Sequence, residues 1–206
     1  MSRARKILSV IAVVAASAAL GASSASASSC PNTEVQVNGL TQDQMESSIG
    51  CLINQNRASF GLQPVAPNVD LREAALSHAQ EMVSESYFEH TSPSGLSFID
   101  RIQQFGYMQG TRQWIVGENL VWGDRELSTP DSLVTAWMNS PPHRENLLRP
   151  DFNEIGIAAV AGTPVDAQDT DGVTVASEYG QRSFGKKAHS SKAKTRKSRF
   201  HKRHRH

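Results

Sequence analysis

The sequence predicts an α+β fold, and three observations predict it. Apolar residues recur at helical spacing through the first part of the body, short β-prone runs come late, and no strand-helix-strand unit repeats. Thr41 followed by Gln44 has the form of a capping box. Met45, Ile49, Leu52, Ile53 and Asn56 then repeat every three or four residues, so a first helix is expected from Gln42 to Phe60, ended by Gly61. Pro64 and Pro67 keep residues 63–68 out of a helix and send them across the surface. Asp70 and Glu73 open a second helix whose stripe Leu71, Ala75, His78 and Met82 lies on one face, and Phe98 to Phe105 reads as a short third helix stopped by Gly106. Thr129, Pro130 and Asp131 launch a fourth helix through Leu133, Val134 and Trp137, broken at Pro141 and Pro142. Residues 154–160 and 172–179, separated by a Gly/Pro/Asp-rich turn, read as a hairpin, and residues 115–122 add a strand or a loop carrying Glu118.

Both ends differ from this body. Arg3, Arg5 and Lys6 precede an apolar run from Ile7 to Leu20, and Ala25-Ser26-Ala27 has the small-x-small form that signal peptidase cuts, so residues 1–27 read as a secretory signal. The fourteen-residue apolar run is short of the ~20 residues that a spanning helix needs, which argues against an anchor. At the other end, residues 186–206 hold ten Lys or Arg and no acid, with Phe200 as the one aromatic; such a segment buries too little apolar surface to fold. The near-neutral whole-chain charge of +1 therefore conceals opposites. Residues 28–185 carry all 20 acids against eight arginines and no lysine, a net charge near −12.

The expected organisation is a signal (1–27), an N-terminal arm (28–40), one folded domain (41–185) and a basic disordered tail (186–206). Segregated charge implies separate partners: the tail suits a polyanion such as a wall polymer, an anionic lipid surface or extracellular nucleic acid without sequence preference. A solvated tail that serves only solubility, or one that folds back on the acidic body, is the alternative. The histidines His189, His201, His204 and His206 are too scattered to define a metal geometry. In an exported chain the two cysteines, Cys30 and Cys51, read as a disulfide tying the arm to the first helix; a catalytic thiol is the rival and would be oxidation-prone there. No second apolar run of spanning length and no internal repeat is present, and a monomer is expected.

Four local patterns carry the chemistry: residues 88–93 (Phe-Glu-His-Thr-Ser-Pro) with Gly95; residues 117–120 (Gly-Glu-Asn-Leu); Trp137 with residues 140–144 (Ser-Pro-Pro-His-Arg) and Asn146; and residues 155–157 (Ile-Gly-Ile). In this order, with Asn56 and Arg57 in the first helix and Gly106 and Tyr107 after the third, the chain resembles the CAP superfamily. That is the SCP-like domain of cysteine-rich secretory proteins, insect antigen 5 and plant pathogenesis-related proteins, here in its bacterial secreted branch. The likeness covers about residues 41–179. It implies a three-layer α-β-α sandwich with a cleft over the sheet, lined by His90, Glu118 and His143. Two imidazoles and a carboxylate would suit a divalent cation, zinc above all, with an open position for water. Eukaryotic members have a second cleft glutamate three residues after the helix-four tryptophan. Ser140 stands there in this chain.

His78, on the apolar stripe of the second helix, reads as a core histidine outside the site. Asn56, Arg57, Asn119, Arg144 and Asn146 read as scaffold, Trp137 as core, and Trp114 and Trp122 as groove-lining. A serine-hydrolase elbow, a zincin helix, a deaminase signature and a phosphate-binding glycine loop are all missing from the sequence. The expectation is a non-enzymatic binding module with a small ligand, envelope component or lipid in the cleft. A metal-assisted hydrolase using Glu118, His90 and His143 on wall peptide or ester bonds is the alternative, and a lipid or sterol carrier the third.

Overall fold

A computed structural model describes residues 29–185. The expected signal and basic tail lie outside the described residues. Helix α1 (Gln42–Ser59) begins at the expected box: Thr41 Oγ1 accepts from Gln44 N, and the Gln44 side chain accepts from Thr41 N. Helix α2 (Val69–Ser84) starts one residue before Asp70 because Asn68 caps it, accepting from Leu71 N. Helix α3 (Phe98–Gln104) is capped by Ser97, and α4 (Pro130–Asn139) by Thr129 with proline at its first turn.

Pro141 and Pro142 end α4 and also begin a further helix, α5 (Pro141–Leu147), which the sequence pattern did not predict; proline fits a first turn, where its absent N–H has no intrahelical partner. The stretch after α1 contributes a two-residue strand, β1 (Ala66–Pro67). The long strand β2 (Thr111–Asp124) replaces the shorter strand or loop expected around Glu118. Strands β3 (Glu154–Ala161) and β4 (Gly172–Phe184) form the expected hairpin. The sheet order is β1-β3-β4-β2, parallel only between β1 and β3.

Side chains alternate across this sheet and split the core in two. Odd-numbered positions such as Ile155, Val175 and Tyr179 pack with Ile49 and Ile53 of α1 and Trp137 of α4. Even-numbered positions Leu120, Ala158 and Ala176 pack with Ala75, Ala79 and Met82 of α2. Helices therefore cover both faces, giving the α-β-α sandwich. Gly156 lets α2 settle onto its face: a Cβ there would stand 2.1 Å from backbone atoms of Leu71 and Arg72.

Two long-range ties close the first layer. Arg57, fully buried at the end of α1, donates from Nε to Gln63 O, from Nη1 to Leu147 O and Arg149 O, and from Nη2 to Phe152 O at 2.9–3.0 Å. Its charge thereby satisfies carbonyls in two loops that have no ladder partner. The other tie is the disulfide Cys30–Cys51, with Cα atoms 5.6 Å apart. Replacing both cysteines by serine is expected to lower the unfolding free energy by ~3 kcal/mol, read from urea melts of both forms extrapolated to water.

Candidate functional site

Glu118 lies mid-strand on the even face of β2, with its carboxylate almost wholly buried. A charge in that position needs donors. Arg101 of α3, equally buried, donates from Nη2 to Glu118 Oε2 at 2.7 Å. The same guanidinium donates to His90 O at 3.0 Å and to Leu96 O at 3.1 Å. It therefore fixes the loop between α2 and α3 at both ends of the turn containing Gly95 while it neutralises the sheet carboxylate.

With its backbone held this way, His90 turns its ring back onto the sheet and donates from Nδ1 to Glu118 Oε1 at 2.7 Å, with about half of the side chain exposed. His143 arrives from the opposite side of the strand. Asn119 donates from Nδ2 to His143 O at 2.9 Å, and Asn146 donates to Glu118 O and Asn119 Oδ1 at 3.0 Å, docking α5 against the outer edge of β2. Gly117 permits this approach, since a Cβ there would come within 3.0 Å of Asn146 Oδ1 and Phe152. The structure thus joins His90 directly to Glu118 and fixes the backbone of His143 to the next residue of the same strand.

The electrostatics assign their states. The hydrogen bond to Glu118 raises the His90 imidazole above its ordinary value against a smaller opposing effect of burial, whereas burial and then the charge of His90 lower His143. Burial alone would push the Glu118 carboxyl up, but the hydrogen bond from His90 and the charge of Arg101 help to outweigh it and hold the group below the usual range. The site therefore pairs an imidazole biased toward its charged form with a second one biased toward its neutral form.

The expected three-ligand set of His90, Glu118 and His143 includes a carboxylate whose two oxygens are both engaged by protein donors. One oxygen is held by His90 and the other by Arg101, so the carboxylate orients an imidazole from behind. The donors left are His90 Nε2 and His143, one fewer than the three protein ligands of a catalytic zinc site. Among the described residues, no group of three or more His, Cys, Asp or Glu is disposed to hold a metal ion.

Several functional neighbours escaped the sequence reading. His78 is fully buried, as expected of a core residue, yet its Nε2 lies 4.0 Å from Glu118 Oε2 while donating to Glu89 O at 2.9 Å. It belongs to the site's inner wall. Beside it Glu81 Oε2 accepts from Ser92 Oγ at 2.5 Å and Tyr87 OH at 2.8 Å, fixing the loop that bears His90. Arg101 and Glu178 were also missed; an arginine inside a short helix and a glutamate inside an apolar strand were the available signals. Trp137 is core, donating from Nε1 to Leu120 O, and Trp114 and Trp122 are exposed. A separate groove of about 610 Å³ runs between α1, the start of α2 and β3, past Gly50, Asn54, Arg72 and Ile157; none of the three predicted site residues lines it.

A family model described as CAP, the cysteine-rich secretory protein family, matches residues 52–176. The uncharacterized protein YkwD of Bacillus subtilis (strain 168) is 34% identical over 138 residues, which is 65% of this chain and 51% of that protein. The uncharacterized membrane protein YlbC of the same organism is 29% identical over 116 residues, 56% of this chain and 32% of that protein. This chain thus spans about half or less of those relatives' lengths. Among solved structures, an outer surface protein from Borrelia burgdorferi superposes with a TM-score of 0.58 at 22% identity, covering 70% of this chain and 97% of that one. An extracellular SCP-domain protein from Bacillus anthracis does so with a TM-score of 0.52 at 25% identity, over 68% of this chain and 43% of that one.

Two outcomes test the geometry. Arg101→Met leaves Glu118 buried without its permanent countercharge and is expected to cost ~3–5 kcal/mol of stability in chemical denaturation. His90, whose folded value is raised, contributes stability that is complete below the ordinary imidazole range and disappears as pH rises through the folded value. The stability difference between wild type and His90→Ala is therefore expected to be larger below the ordinary imidazole range and to fall to a smaller, pH-independent remainder above the folded value, measured by urea melts across pH.

Proposed function

We propose that this chain, which belongs to the CAP family of cysteine-rich secretory proteins, is an exported binding module whose His90–Glu118 pair offers a protonated imidazole to an acidic or hydrogen-bond-accepting group of an envelope ligand. The observation that carries this reading is the full engagement of Glu118, with His90 on one oxygen and Arg101 on the other. A carboxylate so held, and almost wholly buried, orients an imidazole and favours its charged form; it does not face a substrate. Ser92, two residues from His90, gives its hydroxyl to Glu81. The ring is thus without the paired nucleophile that a covalent hydrolase requires.

Export is supported by the signal-like residues 1–27 and by the outer-surface and extracellular descriptions of the structural neighbours. Among the described residues no helix is long and apolar enough to cross a membrane. The ten Lys and Arg of residues 186–206 would hold the acidic domain at a polyanion by counterion release.

The competing reading is a hydrolase in the same cleft. It is favoured by the carboxylate-imidazole pair itself, which is the orienter-and-base half of a catalytic triad. The two separate on turnover: the mature protein is expected to leave a panel of wall fragments, peptides and esters uncleaved, and cleavage abolished by His90→Ala together with His143→Ala would establish the hydrolase. Removing residues 186–206 is expected to release the protein from wall fragments in a sedimentation assay, with binding of the full-length mature chain falling steeply as salt rises; equal retention of both forms rules out the electrostatic tether.

A further inference from the structure

Glu178 has no part in the binding chemistry above, yet it is the most isolated acid among the described residues. It sits on β4 directly opposite Glu118 on β2, in the same register row as Gly156 of β3. Residues directly opposite in an antiparallel pair have Cβ atoms ~5 Å apart. Its side chain lies on the face covered by α2, where its strand neighbour Ala176 packs with Ala75, Ala79 and Met82. No part of it reaches solvent, and neither carboxyl oxygen accepts a hydrogen bond from a protein donor.

The charged and titratable groups around it are Glu118 from β2, Arg101 from α3 and, beyond Glu118, His78 from α2 and His90 from the preceding loop; Gly156 supplies no side chain on the β3 side. Arg101 has committed Nη2 to Glu118 and to His90 O, and Nη1 to Leu96 O and Ser92 Oγ; its Nε has no hydrogen-bond partner, and neither Glu178 oxygen has one. The hydrogen bonds of this guanidinium to acids thus go to one carboxylate. A second ionised carboxylate alongside, dry and without a hydrogen-bond donor, would have only the charge of Arg101 to set against burial and the charge of Glu118.

We infer that Glu178 is a carboxylic acid in the native protein at neutral pH and donates its proton in a hydrogen bond to Glu118, so that the two glutamates hold one proton between them. Burial, reinforced by the adjacent negative charge of Glu118, pushes the Glu178 carboxyl well above the ordinary range, in keeping with that arrangement. Glu118 then receives three donors: the His90 ring, the Arg101 guanidinium and the Glu178 acid. Glu178 is a positioning residue, acting on His90 through Glu118.

The consequence, which rests on the binding reading above, is selectivity by charge. With Glu178 neutral, His90, Arg101 and Glu118 leave the site one positive charge, suited to an acidic group. With both glutamates ionised the sum is zero, and His90 would be bound more tightly to its own carboxylates than to any ligand.

Infrared difference spectroscopy of the mature full-length protein against Glu178→Gln, without ligand, tests the proton directly. A protonated-carboxyl C=O band is expected in the wild type at neutral pH and is lost in the variant. Because the amide replaces a neutral acid by a neutral donor, the NMR titration of His90 is expected to move by less than about half a pH unit. The inference is overturned if the wild type shows no such band, or if Glu178→Gln lowers the His90 midpoint by about a unit or more, as removal of a charge would. Should the variant not fold, persistence of the band in the wild type at neutral pH supports the inference, and its absence there overturns it. Neither measurement involves a ligand, so the inference can fail while ligand binding stands, and the reverse.

Discussion

A carboxylate placed on the interior face of a sheet must be answered by charge or hydrogen bonds, and the contact between Glu118 and Arg101 meets that demand. Much of the local architecture follows. To reach Glu118, Arg101 has to project from a helix lying beside β2, which sets the place of α3. To satisfy its remaining donors it draws in the carbonyls of His90 and Leu96, and this brings the α2–α3 loop down onto the sheet. The exposed imidazole is a by-product of that closure: once its backbone is held, His90 has one strong acceptor within reach, and its orientation is decided.

Glycine has a complementary part on the two faces. Gly156 brings α2 close over one side of the sheet, and Gly117 admits α5 at the edge of the other. Neither position needs an unusual backbone angle; what each supplies is the missing Cβ. The close approach of α2 excludes water around Glu118 and Glu178, and the approach of α5 delivers His143. Local dryness and the meeting of distant loops therefore have the same origin, namely small residues at two strand positions.

The helices were legible because capping residues and apolar periodicity are local. Thr41 with Gln44, and Thr129 with Pro130, announce their termini whatever the rest of the chain does. His90, Glu118 and His143 were singled out only by the resemblance of their short motifs to the CAP family, and the bond between His90 and Glu118 is what the structure adds. What escaped depends on partners far away in sequence. Glu178 becomes significant only through its register with Glu118, and register is not written in either strand alone. Arg101 looks like an ordinary polar residue of a short helix until the sheet carboxylate stands beside it. Nor is it visible in the sequence that a guanidinium holds one of the Glu118 oxygens. The two prolines at the end of α4 misled for a different reason, since the residue that stops one helix is equally suited to start the next.

The outermost strand has a further bearing on how the molecule behaves in company. β2 runs for 14 residues and, among the described residues, has a neighbouring strand on one side only, the kind of open border that recruits foreign strands and seeds aggregates. Its central carbonyls are masked: the Trp137 indole takes Leu120 O and the Asn146 amide takes Glu118 O. Colloidal good behaviour and delivery of the second imidazole are thereby entrusted to the same pair of helices. Sequence drift in α4 or α5 that loosens one loosens the other, which ties the freedom of this cleft to evolve to the need of the protein to stay dispersed.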